Sequence, residues 1–192
     1  MYICAVNTRD KIIILAREQI LKMGYKGFSF NDISAPLNVK NAAIHYYFPT
    51  KEDLGLEVLN HEIERFQTWF TNIEDLSCWQ KLEAFFEIYD VRLIEDQMCM
   101  IGSLCSSYFS VTESIQNQLK EIMQAIQNWL INLLKEGVDE ESFSFVGEPE
   151  DKARVILCSL AAGVQFSRAL GEDHFTLLKH QLRLELNIHT ND

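Results

Sequence analysis

Proline and glycine are scarce in this chain, three and eight among 192 residues. Turn-rich all-β folds need both types at many corners, so that class is excluded at the outset. Cysteine is nearly as sparse. Cys4, Cys78, Cys99, Cys105 and Cys158 form an odd set without a CxxC pair. They fit neither a disulfide framework nor zinc-ligand spacing, and reduced thiols are expected. Long apolar runs are missing too. The apolar, charge-free stretch Val155 to Ser167 has thirteen residues, against the ~20 needed to span a membrane. The apolar start, Met1 to Val6, meets Arg9 and Asp10 too early for a signal-peptide core. No GxSxG, GxGxxG, P-loop or HExxH pattern occurs, and His61, His174, His180 and His189 lack ligand spacing. The expectation is a soluble, cytoplasmic protein that is not an enzyme, with no catalytic residue, metal or cofactor.

What is present is helical periodicity in an ordinary globular composition, 47% hydrophobic and 23% charged. Ile12, Ile13, Ala16, Ile20 and Met23 recur at three- and four-residue steps, which predicts a helix over 9–23 stopped by Gly24. Ser29 with Asp32 resembles a capping box and opens a short second helix that Pro36 should end. Asn38 falls where a tight, left-handed turn is needed. A third helix is predicted over 40–47 and halted by Pro49. Thr50 with Asp53 caps a long fourth helix to about Thr71. Segments 78–96, 98–109, 113–136, 149–170 and 173–187 repeat the texture, with a loop between Gly137 and Gly147. The fold class is all-α with about nine helices.

Charge divides the chain. Residues 1–51 carry seven basic and three acidic side chains, a net +4, while the rest carry ten and 25, a net −15. A basic module on an acidic body suits a module that meets a polyanion. Three short helices with a tight turn before the last describe a helix-turn-helix, whose final helix enters a DNA major groove. On that helix Ile44 and Phe48 share one face, predicted inward, while Ala42, Ala43 and Tyr46 face out beside His45 and Tyr47. Small residues beside hydroxyl and ring N–H groups suit close approach to bases and phosphates. As residues alone, Tyr46 and Tyr47 are also compatible with core packing, and Lys51 with a solvated first turn.

The run from Leu37 to Leu54, together with Gly24-Tyr25 and Ser29-Phe30-Asn31-Asp32-Ile33, resembles the signature of the tetracycline-repressor (TetR) family. The resemblance implies a homodimeric, all-helical transcription regulator, usually a repressor, with a reader domain (1–50) and a ligand-binding and dimerisation domain (51–192). It places phosphate contacts on His45, Tyr46 and Lys51, and base contacts on Lys40, Asn41, Ala42 and Ala43. Ser29, Tyr47 and Thr50 complete the candidate DNA-contacting set. Departures from the pattern are His45 for the usual Tyr, Ala42 for a frequent Gly, and Pro36 within helix two. The implied partners are a palindromic double-stranded operator and a small apolar or amphipathic effector.

In the body, the apolar eighth helix should be buried on several faces, and Ser159, Ala161, Ala162 and Gly163 would let a neighbouring helix approach closely. The resemblance makes the last two long helices a dimer seam; burial within one chain is the alternative. Trp69, Tyr89, Met98, Ser103, Tyr108, Trp129 and Gln165 are the candidate effector-binding residues. Asp96 to Leu104 resembles a segment of one family branch in which a Gly-Cys-Leu-like run opens a helix beside the pocket and the cysteine senses oxidants. Here Met98 replaces that Gly, so Cys99 is either a redox sensor or packing. Cys105 is the candidate resolving thiol, although six residues of helix turn it from the same face. A helical interaction module that no longer binds DNA is the reading from another class.

Overall fold

Asn7 accepts a hydrogen bond from the Asp10 N–H (3.0 Å) and starts α1, Thr8–Gly27. The computed structural model describes residues 7–171 and 173–187; Met1 to Val6 with Cys4, and His189, lie outside them. Gly24 breaks α1 from within at φ 79, ψ 162, a conformation open to glycine, after which one further turn reaches Gly27. Next come α2 (Phe30–Ser34), α3 (Asn41–Tyr47) and α4 (Lys51–Asn72). The body adds α5 (Cys78–Ile94), α6 (Met100–Cys105), α7 (Glu113–Asp139), α8 (Pro149–Leu170) and α9 (Asp173–Glu185). A single 3-10 turn, Tyr108–Ser110, precedes α7. Among the described residues every regular element is helical, as the periodicity implied. Three boundaries moved: α1 resumes past Gly24 to Gly27, α6 covers only Met100–Cys105 of the expected 98–109, and α7 runs two residues past Gly137.

Ile12, Ile13, Ala16 and Ile20 of α1 bury against Leu54, Val58 and Leu59 of α4. Ile33 and Ile44 close that core from α2 and α3. In the body, α7 presents Leu119, Ile122, Ile126, Leu130, Leu133 and Leu134 along one helical face. They meet Phe85 and Phe86 of α5 and Ile156, Leu160 and Val164 of α8. A Cβ on Gly163 would sit 2.4 Å from Leu178 Cδ2, so this glycine lets α9 lie close on α8.

For α8 the alternative of burial within one chain is corrected. Its inner face is buried, but Val155, Phe166 and Leu170 remain 49%, 58% and 66% exposed in the single chain. Leu177 and Leu184 of α9 are similarly bare. By length and mean hydropathy (1.2) α8 resembles a membrane span, yet it packs against α5, α7 and α9.

Candidate functional site

The reader is assembled by local hydrogen bonds. The Ser29 N–H and hydroxyl both donate to Asp32 Oδ2 at 2.7 Å, completing the capping box, and these bonds hold the Asp32 carboxyl below its usual range. Chain reversal follows at Asn38, in the left-handed region at φ 54, while the Val39 N–H donates to the Ser34 carbonyl (3.1 Å). The Ser34 hydroxyl also reaches Asn41 Oδ1, linking α2 to the first residue of α3.

With α3 so placed, Ile44 (0% exposed) and Phe48 (3%) anchor it, and Tyr46 stands out at 82%. Lys40, Asn41, Ala42, His45, Tyr47 and Thr50 are exposed and Ala43 half-buried. Core packing is thereby excluded for Tyr46. Its ring meets Tyr47 edge-on at 5.1 Å. His45 Nδ1 lies 3.1 Å from the Pro49 carbonyl; with the proton on Nδ1 it donates there, which leaves Nε2 for another partner. The phenol, imidazole, ammonium and amide groups of this face can serve phosphates and base edges without moving the anchors.

Lys51 has an occupation the sequence did not suggest. Its ammonium donates to the Phe28 carbonyl (2.6 Å), lies 3.5 Å from the Lys26 carbonyl, and sits 4.1 Å from the Phe28 ring centroid. It therefore ties the end of α1 to the start of α4, and burial pushes its pKa down. Thr50 is likewise engaged as the N-cap of α4, its hydroxyl 2.7 Å from Asp53 Oδ2.

The body holds a cavity of about 340 Å³ between α5, α6, α7 and α8. Tyr89 lines it, together with Cys99, Ile101, Gly102 and Cys105 from the α6 segment. Met123, Ile126 and Gln127 come from α7, and Arg154, Leu157, Cys158 and Ala161 from α8. Burial pushes the Tyr89 phenol and the Cys99 thiol up. Cys99 Sγ caps α6 by accepting the Gly102 N–H at 3.1 Å. A buried, protonated cap is a poor nucleophile, which favours packing over sensing for this residue. The expected turning-away of Cys105 is corrected: Cys99 precedes α6 and Cys105 ends it, and both reach the cavity.

Of the seven predicted effector-binding residues, Tyr89 alone lines this cavity. Gln165 borders it: a Cβ on Gly102 would lie 3.5 Å from its amide nitrogen. The others are corrected. The fully buried Ser103 donates its hydroxyl to the Ile20 carbonyl of α1 (2.8 Å). The Met98 N–H donates to the Leu21 carbonyl (2.7 Å), and its side chain packs at Gly24. Both residues therefore hold the body to α1 instead of facing a ligand. Tyr108 stands 37% exposed on the 3-10 turn, outside the cavity. Trp69 and Trp129 join Phe70 and Phe85 in a cluster of rings 5.2 to 6.2 Å apart, away from the thiol-lined cavity. Each borders a separate surface recess. Arg154, Leu157, Cys158 and Ala161 repeat at helical spacing, a stripe visible in sequence, but only the placement of α8 shows that it faces the cavity.

Comparison with known proteins bears on the same geometry. The family described as bacterial regulatory proteins, tetR family, matches residues 12–58, which span α2, α3 and the parts of α1 and α4 that support them. A TetR transcriptional regulator from Legionella pneumophila is 31% identical in sequence; its crystal structure covers 97% of this chain and 100% of its own, with a TM-score of 0.83. The transcriptional regulator QacR of Staphylococcus aureus is 27% identical over 137 residues, 69% of this chain and 71% of its own. IcaR of Staphylococcus epidermidis, a negative transcriptional regulator of a biofilm operon, is 25% identical over 94% of this chain and 97% of its own.

Proposed function

Because the chain belongs to the TetR family of helix-turn-helix transcriptional regulators, which are DNA-binding proteins and not enzymes, we propose that it is a dimeric repressor of a palindromic operator. The observation that carries this reading is the division of α3. Ile44 and Phe48 are sealed in the core while Lys40, Asn41, Ala42, His45, Tyr46 and Tyr47 form one exposed face. Residues 1–50 act as the reader and 51–192 as the sensing body. The bare apolar residues of α8 and α9 form the seam, since exposed apolar patches of this kind mark association surfaces. Two readers on a two-fold axis then meet successive major grooves about 34 Å apart. DNA places the protein's work in the bacterial cytoplasm.

The effector of this reading is a small apolar or amphipathic molecule in the thiol-lined cavity. Such a molecule changes operator affinity only by binding two conformations of the dimer unequally. The route is short, because α6 lines the cavity and Ser103 and Met98 bond it to the α1 backbone. Selection on random duplex DNA, followed by titration at several salt concentrations, tests the operator. An inverted repeat with steeply salt-dependent affinity is expected; binding with no sequence preference refutes the reading. Sedimentation of Phe166→Glu beside the parent tests the seam, with a monomeric variant expected.

A further inference from the structure

A second recess, about 190 Å³, lies where α1, α4 and α5 meet, apart from the thiol-lined cavity. Phe66 and Trp69 of α4 face Ile88 and Val91 of α5 across it. Its polar lining is one carboxylate and three guanidiniums: Glu62, Arg17, Arg65 and Arg92. Glu62 is 4% exposed and bonded by Arg17 Nε, with Arg17 Nη2 at 3.5 Å and Arg65 Nε at 3.3 Å. Arg92 is nearly enclosed, its side chain 12% exposed. It donates to Gln97 Oε1 (2.6 Å), and among the described residues the carboxylate within 4.0 Å of it is that of half-exposed Glu95. Enclosed charges are ordinarily paired one for one, because desolvation is costly. Here Arg17 takes the enclosed Glu62, Arg65 stands 58% exposed at the rim, and the enclosed Arg92 has only half-exposed Glu95 at 4.0 Å. Burial first, then the neighbouring Arg17, pushes the Arg92 guanidinium down against the opposing pull of Glu62 and Glu95. Among the described residues the enclosed Arg92 guanidinium thus has no close carboxylate of its own.

We propose that this junction recess binds a small monocarboxylate with a flat or branched apolar body, its carboxylate between Arg65 and Arg92 and its body between Trp69 and Val91. Guanidinium forks match a carboxylate in two-point geometry, and the anion supplies the missing negative charge. The volume is sufficient, since an apolar cavity of about 150 Å³ admits benzene. In this pose the groups that touch the anion lie on α4 and α5, with Arg17 of the reader bordering the recess through its bond to Glu62. The proposal does not depend on the operator or on the other cavity.

Calorimetry with benzoate, neutral benzamide and cationic benzamidine tests it. Benzoate should bind saturably and more weakly as salt rises, benzamide at least tenfold more weakly, and benzamidine not measurably. Arg65→Gln, at a side chain 58% exposed and tolerant of exchange, should weaken benzoate at least fivefold, and Arg65→Lys less. Cys158→Trp, which fills the thiol-lined cavity, should leave benzoate affinity unchanged. Equal affinity for benzoate and benzamide, an unaffected Arg65→Gln, or loss of binding in Cys158→Trp would each overturn the assignment.

Discussion

Ser103→Ala isolates the contact between the effector cavity and the reader. The Ser103 hydroxyl is fully buried and donates to the Ile20 carbonyl on α1, 2.8 Å away. Removing it deletes a hydrogen bond worth about 1 kcal/mol net and leaves a carbonyl under-satisfied, a cost that reaches ~1–3 kcal/mol when the acceptor is fully orphaned. The methyl side chain otherwise fits the same space. We therefore expect a loss of about 1.5 kcal/mol, or roughly 3–6 °C in Tm for a chain of this size. Ser106→Ala is the matched control. Its hydroxyl bonds the Ser103 carbonyl three residues back, on an exposed turn of the same helix, so about 0.5 kcal/mol or less is expected. Urea unfolding gives both values, and operator titration with and without effector gives the coupling. Only Ser103→Ala should change the ratio of the two affinities, because only it crosses from α6 to α1. Equal stabilities and equal ratios for the two variants would refute the argument.

Lys40→Ala should weaken operator binding by about 1–3 kcal/mol and relax the preference at the base it reads, with unchanged Tm, as titration against operator variants shows. Gly137→Ala should destabilise by about 1–3 kcal/mol despite better helix propensity, since the new Cβ would lie 2.1 Å from the buried Phe143 ring; thermal unfolding reads it. Burial and the Glu140 carboxylate push the Cys78 thiol up to about 11 from 9.0. The unfolded chain thus releases that proton first. The thiol's contribution to stability is intact below pH 9 and lost as pH rises to about 11, a decline that Cys78→Ala should lack in urea titrations.

Local chemistry made the reader legible in the sequence. Ser29 with Asp32, Asn38, Pro49 and Thr50 with Asp53 each act within four residues, and the inward pair Ile44 and Phe48 follows from helical spacing alone. Helix count, element order and the charge division needed no distant contacts. The cavity did, because its walls come from four helices separated by as many as 72 positions, from Tyr89 to Ala161. Ser103 and Met98 looked like ligand contacts, but packing set α6 against the interrupted end of α1, where carbonyls needed donors. Lys51 looked solvated or phosphate-bound, but the fold brought the Phe28 carbonyl to within 2.6 Å of its ammonium. Arg17, Glu62, Arg65 and Arg92 carried no motif at all; their charges act together because three helices converge there. Periodicity and capping are encoded within a turn or two of chain, whereas the partner of a buried polar group is chosen by which helices pack together.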